Sequence, residues 1–428
     1  MMTFFLLLLL AYLGIKAIKD PVSFIILVTV SYVTLTLFQI ARNLFVVPLL
    51  SIVVLFLLIR KYIEDRHSFA HFPFKVAFIF CFSSYILSYV FHGEVRPTIV
   101  TTFLNDIKEY VFVVMAWMLT YKNTHKKYFL SFMTIYMFVL CIYGFNEALT
   151  GENIYTDYLQ RTGELRDDLY ENDNIIRTGL HRTKSLTIWC ESYGMICCIS
   201  LFVILNCFLK KQLKFSLYWG ILICLVVFGV YSTNSRTCLV TMIIMLLSLL
   251  TYFRSNRTGI SIIVLLFVIG IYYSYDMISN VLESIFNIND GSGSSLDMRF
   301  YQLISTLSYI RNDFVLGAGP GAVSAAMEKD ADIYGAESAI FTTLLTRGFL
   351  GLFTLIFLWI NILIFLIRKK EYWLLPLVIG FYFLKTATLL YGVGESYILL
   401  FVFLLMGFYN RVNSNQKFKI KRHEGSLV

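Results

Sequence analysis

The amino-acid sequence predicts an all-α polytopic membrane protein with about 12–13 transmembrane helices, forming a single integral membrane domain over residues 1–428. Hydrophobic residues make up 58% of the chain and charged residues only 15%. Because soluble proteins carry about 25% charged residues, this chain has too few polar side chains to cover a water-exposed surface. A soluble enzyme is therefore excluded.

Apolar runs recur along the chain at the length that a bilayer requires. A hydrocarbon core of about 30 Å is crossed by roughly 20 apolar residues at 1.5 Å per residue. Thirteen runs are predicted to span the membrane: 2–15, 21–39, 43–59, 74–91, 101–120, 128–149, 187–209, 216–232, 237–253, 259–276, 338–367, 372–391 and 395–410. The first is short, and if it does not cross, twelve spans leave both ends of the chain inside.

Connections rich in lysine and arginine alternate along the chain with connections that contain few of them, which predicts the orientation of the chain in the membrane. Basic clusters mark the cytoplasmic connections at 16–19, 60–66, 122–127, 210–214, 254–257 and 368–370, and the C-terminal tail. The C-terminus is then cytoplasmic, and the two longest connections, 150–186 and 277–337, are outer loops. The formal net charge of +9 therefore follows from topology and gives no indication of nucleic acid as a partner.

The second outer loop carries a helical pattern at about 295–312. Apolar residues recur at i, i+3, i+4 and i+7 spacing, at Phe300, Leu303, Ile304, Leu307 and Ile310. An adjoining stripe is polar and contains Arg299, Gln302, Thr306 and Tyr309. This periodicity predicts an amphipathic helix lying on the outer membrane surface.

Three arginines are predicted at headgroup depth on the outer side. Arg182 closes the first long loop, Arg236 lies in a short turn between two spans, and Arg299 opens the amphipathic helix. A guanidinium presents paired donors that match phosphate oxygens, so a lipid with a pyrophosphate at that depth is the expected partner. The alternative for each arginine is that it extends to lipid headgroups.

Other charged residues have two interpretations each. Glu337 begins a long apolar helix, where a carboxylate either stabilises the helix dipole or acts as a general base. Arg347 and Lys385 lie within predicted spans, where charges are functional candidates, but an ion pair with a buried glutamate is an equal alternative.

Two loop motifs and the cysteines are weaker signals. The glycine-rich stretch Gly317–Gly321 predicts a turn, although the N–H groups around Gly319 and Gly321 are also suited to an anion. Asp330 and Asp332 have a spacing that some metal-dependent glycosyltransferases use, but a lone pair is weak support for a metal site. All eight cysteines lie in or beside apolar spans, so we expect neither a disulfide framework nor a metal cluster.

The order of motifs over about 180–360 resembles the O-antigen polymerase and ligase superfamily of bacterial envelope glycosyltransferases. The stretches that carry the resemblance are Arg182–Leu186, Ser235–Thr237, Met298–Arg299, Asp313–Gly321, Glu337–Phe341 and Arg347–Gly351. Three predicted spans follow the large outer loop, which is also similar to the family layout.

The resemblance implies a C-type glycosyltransferase (GT-C-like) fold in the bacterial inner membrane, with the active site facing outward. It implies a glycan donor on undecaprenyl pyrophosphate, no cofactor and no metal, and a chain-length regulator as a candidate partner besides the bilayer. By position, Arg182 and Arg299 are the pyrophosphate ligands that the resemblance implies, followed by Arg236.

The sequence departs from ligases of this family at one place. Ligases typically have His-Asn at the start of the helix after the large loop, whereas this chain has Glu337 and Ser338. This favours a Wzy-type polymerase, which transfers a growing glycan to the next lipid-linked repeat unit. The alternatives are a ligase that transfers finished glycan to lipid A core in lipopolysaccharide, and a non-enzymatic flippase or transporter.

Overall fold

A computed structural model confirms the all-helical membrane fold. It describes residues 19–20, 22–27, 30–31, 59–60, 62–64, 70–92, 110–111, 113–114, 116–118, 126–161, 181–187, 189–210, 213–214, 216–252, 261, 264–265, 268, 296–329, 338–388 and 397–406. Every regular element within those residues is a helix, and no strand occurs among them.

The described helices follow one another in a simple order. They are α1 (Lys75–His92), α2 (Lys126–Thr150), α3 (Ile154–Arg161), α4 (Cys190–Leu209), α5 (Leu217–Ser232), α6 (Arg236–Tyr252), α7 (Leu296–Tyr309), α8 (Ala322–Lys329), α9 (Ala339–Arg368), α10 (Leu375–Ala387, after a 3₁₀ turn at Tyr372–Leu374) and α11 (Tyr397–Met406). Of these, α1, α2, α4 and α9 are long and apolar enough to cross a membrane, and α5, α6, α10 and α11 are shorter apolar helices. These eight coincide with eight predicted spans.

Helix α4 forms the centre of the described bundle. It is buried along nearly its whole length and packs against α5, α6 and α10, while α2 packs against α5 and also contacts α4. Close packing depends on small residues: a Cβ at Gly144 or Gly229 would collide with the ring of Tyr193. The tyrosine therefore fills a space that two glycines, on α2 and α5, leave open.

Helix α9 is broken near its start by Gly348, which has φ 60° and ψ −157° inside the helix. The backbone of the preceding loop fills the break. The N–H groups of Phe349 and Leu350 each donate over 3.0 Å to the carbonyl oxygens of Phe314 and Val315. A Cβ on Gly348 would lie 2.5–2.6 Å from those carbonyl oxygens, so only glycine permits this crossing.

The two ends of the bundle carry different groups. At one end, the Nζ of Lys210 lies 3.5 Å from the ring centroid of Trp373, which joins the α4–α5 connection to the α9–α10 connection. At the other end, the backbone N–H of Thr183 donates to Ser232 over 2.9 Å. Connections predicted for one side of the membrane thus meet each other in the structure. We call the second end the arginine end, since Arg182, Arg236 and Arg299 belong to it.

The predicted amphipathic helix at about 295–312 is present as α7, but its polar stripe is turned toward the protein. Gln302 and Thr306 are 0% exposed, whereas Phe300 is 63% and Ile304 50% exposed. The periodicity identified the two faces of this helix. It did not reveal which face packs against the bundle.

The cysteines are all free in the structure. Seven are buried and Cys224 is exposed on α5. In the part of the chain that is described, no group of three or more histidine, cysteine or acidic residues has the arrangement of a metal site.

Candidate functional site at the arginine end

Arg182 lies in a short segment, residues 181–187, that docks on the turn between α5 and α6. Its guanidinium forms an ion pair with Glu191 in the first turn of α4 and donates from Nε to the Thr233 carbonyl over 3.4 Å. Burial alone would lower the pKa of Arg182, but electrostatic interaction with Cys190 and Glu191 raises that pKa above its ordinary value. Arg182 is therefore permanently charged and held in one orientation.

A buried carboxylate holds the backbone of this segment in place. Glu147, near the end of α2, accepts the backbone N–H of Ser185 over 2.6 Å and that of Lys184 over 3.3 Å. The side-chain amide of Asn153 donates to the Ser185 carbonyl over 3.0 Å. Ser185 itself has φ 54°, a left-handed conformation that these bonds stabilise against its intrinsic cost.

The sequence analysis did not identify Glu147 or Asn153. The available signal was a glutamate two residues from the end of a predicted span, since carboxylates at such depth need partners. The partners are backbone groups 37 and 38 residues further along the chain, which no local pattern reveals.

Arg236 begins α6 on the same turn that receives Arg182. The turn is tight: Asn234 has φ 48°, and its N–H donates to the Tyr231 carbonyl over 3.0 Å. Because Arg182 contacts Thr233, the fold brings Arg182 to the turn from which Arg236 projects. These two sequence-predicted residues therefore share one corner of the bundle.

Arg299 reaches the same end of the bundle from another direction. Its Nη2 donates to the Ala387 carbonyl over 2.7 Å, so the start of α7 is joined to the end of α10. Helix α10 packs along α6, with Gly380 against Met245 and Thr241. The two helices are antiparallel, so the end of α10 that holds Arg299 lies beside the start of α6 that carries Arg236.

Two polar side chains continue the face of α7 that begins at Arg299. Gln302 and Thr306 are fully buried, and their polar side-chain atoms find no hydrogen-bond partner in the described structure. Burying a polar group without a partner costs about 1–3 kcal/mol. Fold stability alone therefore gives no reason for polar residues at these two positions.

The glycine-rich loop contains Gly319 and Gly321, the two glycines that the sequence analysis predicted to bind substrate, and also Gly317. Gly317, Gly319 and Gly321 all have positive φ, at 72°, 85° and 86°. A Cβ on Gly319 would overlap His92, whereas a Cβ on Gly321 would have no described atom within 4 Å. The loop is therefore closely packed at Gly317 and Gly319, and no described residue packs against Gly321.

Arg347 and His92 form polar contacts close to the break in α9. The Arg347 guanidinium lies 3.9 Å from the ring centroid of Tyr85 and donates to the Thr343 hydroxyl over 3.2 Å. His92 Nε2 lies 3.2 Å from Asp313 Oδ1. The ring of Tyr85 thus stabilises the intramembrane arginine through a cation–π interaction, which the sequence did not predict.

Some predicted residues lie outside the described part of the chain. Glu337, Asp330 and Asp332 belong to residues 330–337, so their roles stay predictions. Lys385 is described and is buried near the end of α10.

Comparison with known proteins gives one result. Residues 220–356 match a family model described as O-Antigen ligase. No curated protein and no solved structure gives a significant match. The matched region contains Arg236, Arg299, the glycine-rich loop and the break at Gly348, while Arg182 lies before it.

Members of this family are glycosyltransferase-like membrane enzymes. Residues 220–356 are therefore similar to the O-antigen ligase family, which is consistent with the O-antigen polymerase and ligase superfamily.

Proposed function

We propose that the chain is a metal-independent polysaccharide polymerase of the bacterial inner membrane. It transfers a growing glycan from undecaprenyl pyrophosphate to a sugar hydroxyl of the next lipid-linked repeat unit, on the outer face of that membrane. The observation that carries the proposal is the placement of Arg182, Arg236 and Arg299 at one end of the bundle, within or next to the matched domain.

The reaction requires mainly positioning of the two substrates and stabilisation of charge, because pyrophosphate is already a good leaving group. Arg299 and Arg236 stabilise the negative charge that develops on the departing oxygen. Arg182 contributes through the guanidinium nitrogen that the bonds to Glu191 and Thr233 leave over. A metal ion is not needed for this step, since three guanidiniums supply the positive charge.

Glu337 is the proposed general base that takes the proton from the acceptor hydroxyl. The proposal rests on its position in the sequence, directly before the N-cap Ser338 of α9. A Glu337→Gln variant that polymerises at the wild-type rate would exclude this role.

A ligase is the second candidate, supported by the description of the matching family model. It uses the same donor and the same arginines and differs only in the acceptor, which is lipid A core. A flippase or transporter has less support, because transporters place polar residues near the midplane between similar halves, whereas the candidate residues here lie at one end.

The deciding experiment mixes the purified protein in lipid nanodiscs with undecaprenyl-pyrophosphate-linked repeat unit from its own host. A ladder of chain lengths on a gel is the result expected for a polymerase. Turnover that requires added lipid A core would identify a ligase. If no new glycosidic bond forms with either acceptor, the assignment as a glycosyltransferase is excluded.

A further inference from the structure

Helix α7 packs against the rest of the protein through two different faces. Leu303, Leu307 and Ile310 pack in a small apolar cluster with α8 and the first turns of α9. The neighbouring face carries Arg299, which is half-buried, and Gln302 and Thr306, which are fully buried. The apolar cluster already holds the helix in place, so the polar face is not needed for docking.

The polar face is unsatisfied where it is most deeply buried. Neither the amide of Gln302 nor the hydroxyl of Thr306 has a hydrogen-bond partner among the described residues. Arg299, on the same face, donates to a backbone carbonyl at the end of α10. Buried polar atoms without hydrogen-bond partners require an explanation, such as a functional role or a ligand that supplies the partner. Leucine or valine at these two positions would give a more stable fold.

We propose that Gln302 and Thr306 bind hydroxyl groups of the sugar attached to the pyrophosphate of the lipid-linked glycan. This inference rests on the proposed function, since it places the pyrophosphate at Arg299. An amide offers two donors and an acceptor, and a hydroxyl offers one donor and two acceptor positions. That combination matches neutral sugar hydroxyls, which both donate and accept.

The spacing on the helix agrees with this assignment. Gln302 lies one turn from Arg299, about 4.5 Å along the axis, and Thr306 lies about 10 Å along it. A ligand with its pyrophosphate at Arg299 and its glycan running along α7 meets Gln302 first and Thr306 second. When Arg299 turns from the Ala387 carbonyl to the pyrophosphate, the start of α7 is released from α10 and the polar face opens.

The proposal gives an unusual signature for substitutions. Gln302→Leu and Thr306→Val remove unpartnered buried atoms, so the melting temperature is expected to stay the same or to rise, while glycan transfer falls. Gln302→Met, which keeps the unbranched shape, serves as a second variant at the first position. Ser200→Ala on α4 is the matched control, because Ser200 is equally buried and unpartnered but lies away from the arginine end.

Binding to two lipids separates this inference from the proposed function. The probes are bare undecaprenyl pyrophosphate and the undecaprenyl-pyrophosphate-linked repeat unit, each titrated against the full-length protein in nanodiscs. We expect Arg299→Ala to weaken binding of both lipids, whereas Gln302→Leu and Thr306→Val weaken only the glycosylated one, by on the order of tenfold.

Each other outcome counts against a specific idea. Unchanged affinity of Gln302→Leu and Thr306→Val for the glycosylated lipid overturns the sugar contact, even if Arg299→Ala still binds weakly. Equal weakening for both lipids also overturns it, because the residues would then act on the pyrophosphate. If Arg299→Ala binds both lipids normally, the proposed function itself fails.

Discussion

The arginine end holds its arginines in two contrasting ways. Arg182 belongs to a segment whose backbone is hydrogen-bonded to Glu147, Asn153 and Ser232, and its guanidinium is paired with Glu191. Arg299 donates to the Ala387 carbonyl and lies on a helix whose buried Gln302 and Thr306 have no hydrogen-bond partner among the described residues. The segment of Arg182 is fixed before any ligand arrives, whereas the polar face beside Arg299 gains hydrogen bonds in the proposed complex.

We infer from this contrast that the two regions have different roles in the proposed reaction. A fixed arginine supplies charge without reorganisation, which is what electrostatic stabilisation requires. A helix with unpartnered polar side chains can shift and form hydrogen bonds with glycans of different structure. The predictions below are ordered by the size of the expected effect and test whether the contrast holds.

The largest effect is expected for Arg299→Ala. Removing a donor that stabilises developing charge typically lowers the rate about 10²–10³-fold, so cells should produce single-repeat material in place of long chains. Loss of the hydrogen bond to the Ala387 carbonyl should lower the stability by about 1 kcal/mol. Gel analysis of the polysaccharide and membrane protein levels check both parts, and normal ladders would remove Arg299 from the mechanism.

Arg182→Ala should destabilise the protein by about 3 kcal/mol, because it leaves the Glu191 carboxylate buried without its partner. The double variant Arg182→Met/Glu191→Leu removes both charges and should recover most of the stability. Thermal unfolding in nanodiscs measures the difference. If the double variant also transfers glycan normally, Arg182 has a structural role only.

Glu147→Gln should cost about 1–3 kcal/mol, since the amide can accept from only one side and one backbone N–H of Lys184 or Ser185 loses its partner. Glycan transfer should fall with stability, because Arg182 would no longer be fixed. Glu152→Gln, an exposed glutamate on the same connection, is the control. Equal melting temperatures for the two variants would contradict the role given to Glu147.

The smallest effect is expected for Gly321→Ala, which has no described residue packed against it and should cost about 1 kcal/mol from its positive φ alone. Gly319→Ala is the comparison, because its Cβ would overlap His92 and should be clearly more destabilising. If Gly321→Ala lowers transfer far beyond its loss of stability, the glycine-rich loop contacts substrate as the sequence suggested.

The fold was largely predictable because bilayer thickness and hydrophobic run length constrain each other. Eight predicted spans coincide with described helices, and the three arginines that the charge placement singled out lie at one end of the bundle. The hydrogen bonds between Glu147 and the backbone of Lys184 and Ser185 and the crossing of Phe314 and Val315 at Gly348 were not predictable, since each joins groups far apart in the chain. The orientation of Gln302 was missed for another reason: a helical period defines faces but not the neighbour that each face meets.

The break at Gly348 also divides α9 into a short first part and a longer second part. The whole helix has 30 residues and would be about 45 Å long, well beyond the roughly 30 Å of hydrocarbon. Counted from Arg368, the part after Gly348 is a complete span by itself. The first turns, before Gly348, pack with α7 and α8 in a separate apolar cluster and are joined to the longer part of α9 through this one glycine.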